Sequence, residues 1–83
     1  MHQFEIQYTE YNEKGAITSI KHYLHPANIA ECKQKFDELS RQTRTVVDDE
    51  DVEHTYKAYK VEVRLATYKV VDDVAALWAM FGV

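Results

Sequence analysis

Apolar and polar residues alternate from Gln3 to Tyr11, with Phe4, Ile6 and Tyr8 on one side and Glu5, Gln7 and Thr9 on the other. A period of two predicts a strand with one buried face. Asn12-Glu13-Lys14-Gly15 follows, with a turn former first and a glycine where a left-handed residue is needed. The next segment should therefore return antiparallel. Ala16 to Leu24 reads as that second strand, with Thr18, Ile20, His22 and Leu24 as its inward set. Ile17 and Tyr23 on the opposite side blur the alternation, so the hairpin is clearer than its register.

Pro26 ends the strand, and Asn28 with Glu31 three residues on resembles a capping box. Ile29, Cys32, Phe36 and Leu39 recur at spacings of three and four, the apolar stripe of a helix that should run to about Thr43. From there Thr43-Arg44-Thr45-Val46-Val47 is β-branched, and helical propensity falls. It reads as a short edge strand or an extended link. Residues 48–53 form a solvated turn.

Thr55 to Val71 alternates again, with Tyr59, Val61, Val63 and Leu65 on one face and Lys60, Glu62 and Arg64 on the other. Such a run exceeds the usual strand length of roughly 3–10 residues, so a bend near Ala66-Thr67 or fraying at Tyr56 is expected. Asp72-Asp73 supplies a helix cap, Val74 to Phe81 is the helix, and Gly82 stands where a carboxy-terminal cap belongs. The order strand-strand-helix-strand-helix predicts a two-layer α+β fold. A small antiparallel sheet carries helices on one face.

Val74 to Phe81 has no polar face, which is unusual for a helix of two turns. Either it is sunk between the sheet and the first helix, or it is a partner surface anchored by Trp78, Met80 and Phe81, residue types enriched at interfaces. A homodimer satisfies both, since a twofold contact covers the second face.

Composition bounds the rest. Eighty-three residues suit one domain spanning 1–83, and 46% apolar with 29% charged residues is globular composition. No apolar run approaches the roughly 20 residues of a membrane helix, and the first residues lack a signal-peptide pattern. With the single Cys32, this points to a cytoplasmic location without membrane contact.

The net charge of −4 is unevenly spread, because Asp48, Asp49, Glu50, Asp51 and Glu53 hold five of the fourteen acids. Without them, ten basic residues stand against nine acidic ones, a net of +1. The cluster reads as a solubilising loop or as a patch that pairs with a basic protein surface. Residues 56–69 carry the opposite sign, and Tyr56, Lys60, Arg64 and Tyr68 share one parity. That combination of rings and cations is an alternative surface for RNA or single-stranded DNA.

Catalysis and cofactors find no support in the sequence. His22, His25, Cys32 and His54 lack the tight ligand pairs of a structural zinc site. Cys32 lies on an apolar stripe, where a small hydrophobe is expected, and no glycine-rich turn marks an oxyanion or phosphate pocket. The acidic cluster lacks the alternating ligands and central glycine of a calcium loop. A nonenzymatic interaction module without cofactor is the expectation.

Brevity, the hairpin-helix-strand layout over the whole chain, Asp48 to Glu53 and the apolar tail together resemble the small acidic inhibitors that phages encode against host defence, anti-CRISPR proteins among them. The resemblance implies inhibition by steric occlusion of a basic nucleic-acid-binding surface on a host protein. It carries no individual residue over.

Overall fold

A computed structural model describes residues 4–12, 14–65 and 69–83. The fold is α+β, with two helices and antiparallel sheets. β1 (Phe4–Tyr11) and β2 (Ile17–Leu24) form the expected hairpin. At its turn, Asn12 Oδ1 accepts the N–H groups of Lys14 and Ala16 at 2.9 Å each. Gly15 adopts φ 78°, the left-handed region that costs a residue with a Cβ and not a glycine. α1 (Ile29–Arg41) begins where Asn28 Oδ1 accepts from the Glu31 N–H at 2.8 Å, while the Glu31 carboxylate reaches back to the Ala27 N–H. The helix stops two residues short of the expected Thr43, because the β-branched run turns extended at once.

That run is β3 (Thr43–Val47), and it pairs antiparallel with β4 (Glu53–Lys57) in a sheet of their own. The long strand expected over 55–71 is therefore two strands. One break falls at Ala58, close to the fraying expected at Tyr56; the bend expected at Ala66-Thr67 lies outside the described residues, and beyond it Val70 bridges Arg64 antiparallel while Lys69 accepts from the Leu65 N–H. Ala58 is 2% exposed, donates its N–H to the Gln42 carbonyl and accepts from the Tyr11 N–H. A small side chain at this position lets the backbone hand over from β3 to β1. β5 (Tyr59–Leu65) then pairs with β1, giving the order β2-β1-β5. The element order is thus β-β-α-β-β-β-α, with two strands more than the pattern suggested.

α2 (Val74–Phe81) starts with Asp73 Oδ1 accepting from the Ala76 N–H at 3.1 Å and ends at Gly82 with φ 72°. Both helices lie on the face of the three-stranded sheet that presents Phe4, Ile6 and Val63. Those residues form the core with Cys32, Leu77 and Trp78. Leu24 and His22 of β2 point to this face as expected, opposite Ile6 and Tyr8, but the register then slips by two residues so that Tyr11 meets Ile17, and Ile20 within the slip is 60% exposed.

The β3–β4 hairpin is an arm. Of its ten strand residues only Val46 and Tyr56 are half-buried, and neither strand packs extensively on another element. The described molecule measures 49 × 25 × 19 Å with a radius of gyration of 14.9 Å. A compact chain of this length would give about 12 Å. The excess is the arm's projection.

Candidate functional site

The acidic cluster occupies the outer end of the arm, between β3 and β4. Asp48 is its organiser. One carboxylate oxygen accepts the N–H groups of Glu50 and Val52 at 2.8 and 3.0 Å, and the other pairs with His54 Nε2 at 2.7 Å. The His54 contact, followed by the Val52 and Glu50 N–H bonds, holds the Asp48 carboxyl below its usual range. Asp51 takes φ 60° to close the turn, a conformation that Asp and Asn tolerate better than most residues. Asp49, Glu50, Asp51 and Glu53 are exposed and make no ion pair among the described residues. The turn is therefore shaped by one acid and leaves four others facing solvent.

The arm's root is held in three ways. Arg44 Nη2 donates to Glu10 of β1 at 3.1 Å, the Arg44 guanidinium lies 5.8 Å from the Tyr59 ring centroid, and Ala58 bonds Gln42. Contacts with Tyr59 and Glu10 keep the guanidinium more firmly protonated than usual. The root is tethered, and the end is free.

The apolar anchors are rearranged relative to expectation. Trp78 is only 7% exposed and meets Phe36 of α1 edge-on, with centroids 5.8 Å apart. It belongs to the core and not to the exposed apolar surface expected of it. The physical reason is the pairing of two apolar helix faces: Leu77 and Trp78 turn inward together, where the sequence pattern gave α2 no preferred side. Met80 is 76% and Phe81 48% exposed, although Phe81 also caps Phe4 edge-on at 5.9 Å. With its indole covered by its own chain, the segment leaves Met80, Phe81 and Val83 exposed. This patch sits at the Phe4 end of β1, and the arm leaves from the Glu10 end. Six residues of strand, about 20 Å, separate the two surfaces.

The alternative nucleic-acid residues do not form one surface. Tyr56 is on the arm, beside an open cleft of about 480 Å³ that also borders Arg44 and Tyr11. Lys60 and Arg64 are on β5, opposite Thr9 and Glu5, on the sheet face away from the helices. Tyr68 lies outside the described residues. Register places Lys21 opposite Thr9 and Tyr23 opposite Gln7 on that same face. Sequence parity within one strand missed these two neighbours, because they come from across β1.

Cys32 is fully buried on the α1 stripe, and burial pushes its thiol up to about 11. Among the described residues, no three of His, Cys, Asp and Glu converge as metal ligands. No described helix is long and apolar enough to cross a membrane. No protein-family model, curated protein or solved structure matches this chain.

Proposed function

We propose that this chain is a nonenzymatic binding module whose acidic arm engages a basic surface of a partner protein. The observation that carries the reading is the arm itself: four unpaired acids sit at the end of a ribbon exposed on both faces. A free two-stranded hairpin is marginal in water. A partner groove that covers both faces adds what the chain's own core does not. Clustered negative charge speeds encounter with a basic surface and weakens with salt. If the partner's basic surface normally holds nucleic acid, the arm excludes it sterically and electrostatically, the inhibitor mechanism that the phage-protein resemblance implies. Met80 and Phe81 form a separate apolar contact at the other end of β1.

The test is capture from a lysate of the native host, with and without nuclease, by the wild type and by a variant carrying Asp49→Asn, Glu50→Gln, Asp51→Asn and Glu53→Gln. Asp48 stays intact so that the turn survives. The reading expects a discrete partner retained by the wild type after nuclease, released by salt and lost from the variant. Equal retention by both proteins contradicts it.

A further inference from the structure

The face of the three-stranded sheet away from the helices is a grid of three rows. Lys21, Thr9 and Lys60 form one, Tyr23, Gln7 and Glu62 the next, and Glu5, Arg64 and the bridging Val70 the third. No helix among the described residues covers it. A helix-free face of an antiparallel sheet is ordinarily wet, yet Gln7 and Thr9 at its centre are 7% and 6% exposed. Both lie on the central strand, between β2 and β5. Gln7 Oε1 and Arg64 Nε are buried without a hydrogen-bond partner. A buried polar atom left unmatched costs roughly 1–3 kcal/mol, so an acceptor and a donor kept so favour a ligand that displaces the covering side chains and supplies both.

Charge narrows the class. Glu62 is paired with Lys60 at 3.3 Å and Glu5 is hydrogen-bonded to His25 at 3.0 Å, whereas Lys21 and Arg64 form no ion pair among the described residues. Two strand spacings and four residues of rise put these cations about 16 Å apart across the face. Tyr23 lies between them along the strand direction, 48% exposed. An aromatic ring between separated cations, over a buried amide oxygen, suits alternating phosphates and bases and not a compact anion.

We propose that this face binds single-stranded nucleic acid. Tyr23 stacks on a base, Lys21 and Arg64 hold flanking phosphates, and Gln7 Oε1, uncovered as the neighbouring side chains move aside, accepts from a base N–H. The arm's acids do not oppose this. Glu53 lies seven residues before Lys60, at the outer end of the arm and on a different sheet. Without the arm's five acids the remainder carries a net +1.

Fluorescence anisotropy of the full chain with labelled ten-nucleotide rU and dT probes tests the proposal, beginning at low salt. Saturable binding is expected to weaken linearly in log affinity against log salt. Lys21→Gln with Arg64→Gln should flatten that slope by about 1.4. Tyr23→Ala should lose roughly 5- to 150-fold in affinity, and Tyr23→Phe, which keeps the ring, should retain it. The arm variant with four neutralised acids should bind these probes like the wild type, so loss of the arm's function and loss of this one are separable. Absence of saturable binding to either probe overturns the proposal. So does a salt slope unchanged in the double variant, or an affinity unchanged in Tyr23→Ala, with circular dichroism confirming the fold.

Discussion

Arg44 and Glu10, 34 residues apart in sequence, meet at 3.1 Å where the arm leaves the sheet. Because Arg44 also lies over Tyr59, one side chain ties β3 to both β1 and β5. Arg44→Ala should therefore loosen the arm against the body without unfolding the body. Hydrogen exchange should show faster exchange in β3 and β4 and unchanged protection in β1 and β5. Loss of protection throughout the sheet would show that arm and body form one cooperative unit.

Trp78 and Met80 are neighbours in the same apolar helix with opposite surroundings, at 7% and 76% exposure. Trp78→Ala should cost about 3–5 kcal/mol in urea unfolding, because it empties the space beside Phe36. Met80→Ala should stay within about 0.5 kcal/mol. Similar losses for the two would contradict the placement of the indole. A domain of this size has little margin, so Trp78→Ala is expected to be largely unfolded at 37 °C.

These two residues also mark where the sequence stops being informative. Elements whose periodicity had one clear solution were legible: β1 from Phe4, Ile6 and Tyr8, α1 from the stripe through Cys32 and Phe36, and the caps at Asn28, Asp73 and Gly82. α2 was legible as a helix but not in rotation, because residues 74–81 are apolar all round and only the neighbouring Phe36 decides which side is inside. The arm was hidden for a different reason. The apolar parity does slip at Ala58, from Tyr56 and Ala58 to Tyr59, Val61 and Val63, but a single slip reads as a bulge in one strand and says nothing of a change of pairing partner. The acidic cluster was visible, but its projection from the body depends on that unseen break. On the open sheet face, Gln7 and Thr9 read as solvated positions, and their burial arises from flanking strands that one strand's pattern does not contain.

Asp48 gives the arm a defined response to acid. Its folded pKa lies below the ordinary 3.8, chiefly through His54 and then the Val52 N–H. A lowered carboxyl stabilises the turn above its unfolded pKa of about 3.9, and the contribution is lost as pH falls through the folded value. Amide shifts of Glu50 and Val52, whose N–H groups bond to Asp48, should hold to below pH 3.8 and then move together. Asp48→Asn should remove that transition. A midpoint at or above 3.8 in the wild type would contradict the geometry of the turn.

Cys32, with its thiol near 11 and no exposed surface, should resist alkylation by iodoacetamide at pH 8 in the folded protein. Reaction depends on the thiolate, so modification should be slow without denaturant and rapid in urea. Rapid modification of the native chain would mean that α1 opens away from the sheet far more readily than its packing implies.

The central claim is that the end of the arm is the contact surface, and site-specific photocrosslinking tests it most directly. A photoreactive residue placed at Glu50 is compared with one at Ala30, an exposed position on α1, in lysate of the native host. The account predicts a discrete adduct from Glu50 that survives nuclease, disappears at high salt, and maps to a lysine- or arginine-rich surface of the captured protein. Adducts from Ala30 with none from Glu50 would contradict it.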